Sequence, residues 1–448
     1  MPASRWRDDR RDVMKTMHPR VVRTPRFRGR EASPAHRRPL VAATASPSAR
    51  HDARATRHFV RGGQSYDGGR RWIHKAGVST WWSPGVGGDR SSHAPRVAAD
   101  WAMRRILPAA PVVLAVVLAT FPALFAAAQP QPTASAPSSA LVRTADAAES
   151  IAPLQTLIVA QHGEVLLERG YRGRRPDAPT NIKSASKTVM SALIGIAIER
   201  GVLESVDQPV APILRERLPA DPDPRLARIS IGHLLSMQAG LQSTSGRNYG
   251  RWVAQRDWVR AALAVPFADD PGGGMIYSTG STHLLAAALT RAADRPLLAL
   301  ARDWLGEQEG FAISSWDRDP QGIYFGGNQM AMTPRSLLAF GELYRNGGRS
   351  RGGVQVIPEA WVDASWQPRT RSVFNGDGYG YGWFARRIGG HDVRYAWGFG
   401  GQMLYVVPAL DVTVVMTSDD SMPSAQGGHR TALHGLLARL LDDLQAQG

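Results

Sequence analysis

The sequence predicts an α+β fold: an antiparallel β-sheet built from both chain ends and flanked by helices, with a mainly helical region inserted between its halves. Three observations carry this. Apolar, β-branched runs occur near residue 155 and return only after residue 400. The stretch between them has helical rather than alternating periodicity. No internal repeat divides it.

Residues 154–160 (LQTLIVA) and 164–168 (EVLLE) flank Gln161-His162-Gly163, the pattern of a β-hairpin. Residues 184–201 (SASKTVMSALIGIAIERG) read as a long helix, with Val189, Ala192, Leu193, Ile196 and Ile198 apolar and Gly201 as its stop. A short helix is expected at 231–237 before Gly240, and further helices at 281–293, 296–306 and 334–345. Strands return at 403–407 and 412–417 around a Pro408–Asp411 turn, and residues 431–444 close the chain as an amphipathic helix.

The net charge of +16 suggests an anionic partner at first sight. Its distribution argues otherwise. Residues 1–102 hold 19 Arg and 2 Lys against 8 acidic residues, or +13, which leaves +3 for the other 346. The body of the chain therefore carries no nucleic-acid signature. Zero cysteines exclude disulfides, Cys-ligated metals and thiol nucleophiles. No HExxH, P-loop or EF-hand pattern appears, so neither metal nor cofactor is expected.

From Met103 the chain reads MRRILPAAPVVLAVVLATFPALFAAAQPQP. Arg104 and Arg105, an apolar run and Ala126-Ala127-Ala128 form the pattern of a secretory signal peptide at 103–128. Pro108, Pro111 and Pro122 favour cleavage over a membrane span, so a membrane is met only through an uncleaved signal. Signals begin chains, so 1–102 is either a mis-called extension or a disordered basic arm. N-terminal sequencing of the native protein separates the two. Residues 129–150 are then a linker and the start of a first helix, 151–448 the main domain, and the destination the periplasm or the medium.

The chemistry is concentrated at Ser184-Ala185-Ser186-Lys187. Only four lysines occur, Lys15, Lys75, Lys183 and Lys187, against 50 arginines. Serine three residues before lysine places both on one face of a helix. A serine hydroxyl needs a base, and lysine serves once desolvation lowers its pKa; arginine cannot, because its guanidinium keeps its proton. A chain that otherwise prefers Arg retains Lys where a neutral amine is required. The spacing alone is weak, since chance gives it in roughly one chain in four with four lysines. Its position at the start of an apolar helix, whose N–H groups can face an oxyanion, strengthens it. The alternative is a capping Ser beside a solvated Lys.

Further motifs follow in order: Leu203-Glu-Ser-Val-Asp207-Gln-Pro209-Val; Ile229-Ser-Ile-Gly-His-Leu-Leu-Ser-Met-Gln-Ala-Gly240-Leu241; Pro271 to Thr279 (PGGGMIYST); Gly326-Gly327 through Thr333-Pro-Arg335; Phe340-Gly-Glu-Leu-Tyr344; and Trp397-Gly-Phe-Gly-Gly-Gln402. With the Ser-x-x-Lys helix, this series resembles the penicillin-recognising serine hydrolases in their class C β-lactamase-like branch, over about residues 150–448. The resemblance is nearest to 6-aminohexanoate-dimer hydrolase and esterase members. It implies a β-lactamase/transpeptidase-like fold and an acyl-enzyme mechanism on a small-molecule ester or amide. Ser184 would be the nucleophile, Lys187 its proton acceptor and Tyr277 a second base whose phenol pKa must fall. Substrate contacts would come from Thr279, Trp397, Gly398, Gly400, Gly401 and Gln402, and the oxyanion hole from the Ser184 N–H and a backbone N–H near 400–402.

Two departures stand out. Thr279 replaces the Asn of the Tyr-x-Asn motif, and Trp397-Gly398 stands where the family has Lys or His before Thr-Gly. Loss of that cation argues for an ester or amide rather than a β-lactam. The same departures support an alternative, a catalytically degenerate cell-wall peptide-binding or sensor protein. Gly348-Arg-Ser350-Arg-Gly352 fits G-x-S-x-G but lacks the strand before and helix after that a nucleophile elbow needs. His233 and His283 lie in apolar helical contexts and read as packed or capping. Tyr379, Tyr381, Trp383, Trp397 and Phe399 read as core or pocket rim.

Overall fold

The structure, a computed structural model, describes residues 137–425 and 427–446. The basic head, the signal segment and the first part of the linker lie outside the described residues.

Among the described residues eleven strands form two sheets: β1 (Leu154–Gln161), β2 (Glu164–Gly170), β3 (Thr180–Asn181), β4 (Ser315–Trp316), β5 (Met330–Met332), β6 (Thr370–Arg371), β7 (Gly378–Tyr379), β8 (Phe384–Ile388), β9 (His391–Gly398), β10 (Gln402–Val407) and β11 (Val412–Ser418). The main sheet is antiparallel, in the order β2-β1-β11-β10-β9-β8-β7-β6. The first hairpin thus pairs with the last strand, Leu157 opposite Met416 and Val159 opposite Val414. This is the closure of chain ends expected from the sequence. His162 (φ 52) and Gly163 (φ 82) make the left-handed turn that joins β1 to β2 with the twist a two-residue hairpin requires.

Every residue of β10 and β11 is buried. Alternate side chains point to opposite faces, and each face has its own apolar cover. On one face, Leu157, Val159, Met403, Tyr405, Val414 and Met416 cluster with Leu433, Leu437, Leu440 and Leu441 of the terminal helix His429–Gln445. Leu141 and Ala145 of the first helix, Ser139–Ala147, join them; Ser138 caps that helix by accepting the Leu141 N–H. On the other face, Ile158, Leu404, Val406 and Val415 cluster with Leu337 and Phe340 of helix Pro334–Arg345. That helix approaches closely at Gly341, where a Cβ would come within 2.7 Å of Thr413 Cγ2.

Helix Ser186–Glu199 is buried on all sides from Ser186 to Ala197, as a central helix between the sheet and the helical region must be. It does not begin at residue 184 as the sequence suggested. A 3₁₀ turn, Lys183–Ala185, precedes it, entered through Lys183 at φ 52. The other helices lie within two or so residues of expectation: Ile231–Leu235, Thr279–Ala293, Leu297–Trp304 and Pro334–Arg345. The sequence reading did not include β6 to β9. These strands alternate buried positions with exposed arginines such as Arg386 and Arg387, so no continuous apolar run marks them.

Candidate active site

The 3₁₀ turn, the loop before helix Thr279–Ala293, the Gly326–Gly327 loop and the end of β9 converge on one cavity of about 710 Å³. Ser184, Tyr277, Thr279 and Trp397 all line it. Lys187 stands behind Ser184 at the second residue of the central helix and is 3 % exposed.

Lys187 Nζ lies 3.2 Å from Ser184 Oγ and donates to the Gly327 carbonyl at 2.6 Å. Among the described residues no carboxylate pairs with it. Burial pushes its pKa down to about 7, so a substantial fraction of the amine is uncharged at neutral pH. Gly327 (φ 79) makes this possible: a Cβ there would lie 2.8 Å from Lys187 Cγ and 3.0 Å from Nζ. The neighbouring Gly326 N–H faces Nδ1 of His283, whose Nε2 is 3.0 Å from Asp319 Oδ2. Both side chains of this pair are fully buried. Asp319 in turn accepts from the backbone N–H groups of Gln321 and Ile323. The carbonyl that holds Lys187 is therefore carried on a loop braced by a buried His–Asp pair, a role that helical periodicity around His283 could not reveal. His233 forms a capping box with Ser230, as expected of a capping histidine.

The Tyr277 ring lies 5.2 Å from Lys187 Nζ, and its hydroxyl shares a hydrogen bond with Ser184. Its pKa moves opposite to the sequence-based expectation. Burial pushes the phenol up to about 12, and the Ser184 hydrogen bond offsets only part of that. A lysine that is only partly charged at neutral pH does not reverse the effect. Tyr277 is therefore a phenol, not a phenolate, when the site is empty.

Thr279 Oγ1 sits 3.0 Å from Ser245 Oγ, and its N–H donates to the same oxygen at 2.8 Å. Trp397 donates through Nε1 to Ser424 Oγ at 2.9 Å, and Arg430 stacks on its ring 4.6 Å from the centroid. Gly398, Gly400, Gly401 and Gln402 do not line the cavity. Gly398 lets β9 pass against the Ile182 carbonyl beside the Ser184 turn, where a Cβ would clash. Gly400 (φ 83) and Gly401 (φ 101) shape the β9–β10 turn, and the Gly401 N–H is engaged with the Gly398 carbonyl. Gln402 is fully buried, with its amide on the Ser418 backbone of β11. Its assignment as a substrate contact is thus corrected to a sheet-end brace.

Several wall residues escaped the sequence reading. Lys183 lines the cavity, with Nζ 2.7 Å from Asp420 Oδ2. Ser245, Tyr249, Asn328 and Phe374 also line it. Asn328 Nδ2 donates to the Tyr249 hydroxyl at 2.9 Å. They come from separate loops, and only the Gly326-Gly327 motif beside Asn328 offered a signal. The G-x-S-x-G segment forms a turn in which the Ser350 N–H donates to the Val354 carbonyl, remote from the cavity wall. Among the described residues no group of His, Asp or Glu could hold a metal ion, and no helix is long and apolar enough to cross a membrane.

Residues 140–438 match the family model described as Beta-lactamase. A curated relative, 6-aminohexanoate-dimer hydrolase of Paenarthrobacter ureafaciens, is 25% identical over 312 residues, 64% of this chain and 76% of the relative. Among solved structures, a D-amino acid amidase from Ochrobactrum anthropi SV3 superposes with a TM-score of 0.55 at 13% identity, covering 69% of this chain and 98% of the amidase. A class C beta lactamase from Rhodobacter sphaeroides gives a TM-score of 0.51 at 16% identity, covering 69% of this chain and 99% of the lactamase.

Proposed function

The chain belongs to the beta-lactamase family of serine hydrolases, and from that premise we propose that it cleaves an ester or amide through an acyl-enzyme on Ser184. The observation that carries the proposal is the buried Lys187 amine, 3.2 Å from the Ser184 hydroxyl and depressed to about 7 by desolvation.

Neutral Lys187 takes the Ser184 proton as Oγ adds to the substrate carbonyl. The carbonyl oxygen becomes an oxyanion, faced by the Ser184 N–H and by a backbone N–H of the β9–β10 turn. As the tetrahedral adduct collapses, Tyr277 gives its phenolic proton to the leaving alcohol or amine. The resulting phenolate regains a proton from the Lys187 ammonium. The acyl-enzyme then holds neutral Lys187 and neutral Tyr277, ready for water. Water adds, Lys187 accepts its proton, and that proton returns to Ser184 Oγ as the acid leaves. A phenol raised to about 12 suits this scheme, because the proton must be present when the leaving group needs it.

The cavity favours esters and amides over β-lactams. Trp397 stands where the family's cation binds a carboxylate, and Lys183 is already engaged by Asp420. Residues 103–128, read as an export signal, assign the mature protein to the periplasm or the medium.

Labelling with a fluorophosphonate, followed by intact mass, tests the nucleophile. Wild type gains one adduct and Ser184→Ala gains none; equal labelling of both refutes the assignment. Ser184-dependent turnover of p-nitrophenyl butyrate excludes a binding-only role.

A further inference from the structure

Among the described residues six large apolar side chains are exposed: Val165, Val354, Val373, Phe374, Phe399 and Met422. Phe374 and Phe399 line the Ser184 cavity while remaining 49% and 48% exposed. Val373 immediately precedes Phe374, and Met422 precedes Pro423, which also lines the cavity. Four of the six therefore sit on the loops that frame one mouth. Exposed apolar residues scattered singly need no explanation, but a cluster around a cavity does.

The wall continues the pattern inward through Tyr249, Phe384 and Trp397. Among the described residues lining the cavity, Lys183 alone carries a formal charge, and Asp420 pairs with it at 2.7 Å. Phe374 packs edge-on against Tyr277 at 5.2 Å and against Trp397 at 5.8 Å, so the collar is continuous with the reacting groups.

We propose that the site selects neutral esters with an apolar acyl chain, and that Phe374 and Phe399 form the collar that recognises the chain. This rests on the acyl-enzyme reading of Ser184. Each methylene buried against the collar multiplies affinity by about threefold to fourfold. On the cavity wall a carboxylate at the end of the same chain meets only Lys183, already paired with Asp420, and sheds water without a free lining cation to compensate.

The test compares the full chain on p-nitrophenyl acetate, p-nitrophenyl hexanoate and the p-nitrophenyl monoester of adipic acid. The expected kcat/KM order is hexanoate first, at least about tenfold above the adipate monoester and about tenfold above acetate. Phe374→Ala and Phe399→Ala each lower the hexanoate-to-acetate ratio by about threefold or more. Both substitutions are at half-exposed positions, and a ratio of two esters on one preparation corrects for any unfolded fraction. Equal rates on hexanoate and adipate monoester, a preference for the carboxylate, or an unchanged ratio in both variants overturns the collar while leaving Ser184 chemistry intact. A wild type inert to all three esters and unlabelled at Ser184 overturns the catalytic reading, and the selectivity with it.

Discussion

The central strands and the seam beside them are equally buried, but with opposite contents. In β10 and β11 the buried side chains are mostly Val, Leu, Met and Tyr, covered on both faces by helices. In the seam they include Lys187 and the His283–Asp319 pair, with the half-buried Tyr277 phenol beside them. Burial in the sheet removes apolar surface from water and stabilises the fold. Burial in the seam disfavours a charge, which costs stability and creates reactivity. One molecule thus uses the same low-dielectric interior for two ends, and substitutions should separate them.

The largest effect is expected at the seam. Lys187→Met should lower kcat/KM by at least about a thousandfold, since in the proposed mechanism Ser184 then loses its base. The same variant should not be less stable at pH 7. A folded pKa near 7, below the ordinary 10.5, means the unfolded chain binds more protons between those values, so this group's contribution rises with pH across that window and is least favourable below 7. Removing it relieves a penalty on the order of 4 kcal/mol at most, less the lost hydrogen bond to Gly327. Urea unfolding at pH 7 checks this; a loss of several kcal/mol breaks the contrast.

Leu404→Ala should do the reverse. Leu404 is fully buried between the sheet and helix Pro334–Arg345, so truncation should cost about 2–5 kcal/mol in the same assay. Its kcat/KM per folded molecule should stay within about twofold of wild type. A large catalytic defect would show that the two regions are not energetically separate.

The difference between the regions also explains what the sequence reveals. The hairpin at 154–168 and the late strands are legible because apolar runs bounded by turns imply buried strands whatever surrounds them. Strands β8 and β9 are not, since Arg386, Arg387 and Arg394 interrupt them, and it is pairing of β9 with β10 and of β8 with β9 that makes them sheet. In the seam, Ser184 and Lys187 are legible as a local spacing, and Tyr277 through the motif series. The direction of the Tyr277 shift was not, because it depends on how completely other loops cover the ring. The place of Lys183 on the cavity wall was not legible either, because its partner, Asp420, is more than 200 residues away in sequence. Gln402 belongs to a recognisable motif, yet its side chain serves the sheet and not the cavity.

The central claim, an amine behind Ser184 whose pKa burial brings down to about 7, can be measured without any substrate. Four lysines in 448 residues give an NMR spectrum of isotopically labelled lysine side chains that is simple enough to assign by substitution. The account predicts one lysine resonance titrating near pH 7, absent from Lys187→Met. A spectrum in which every lysine stays protonated up to pH 9 would contradict it.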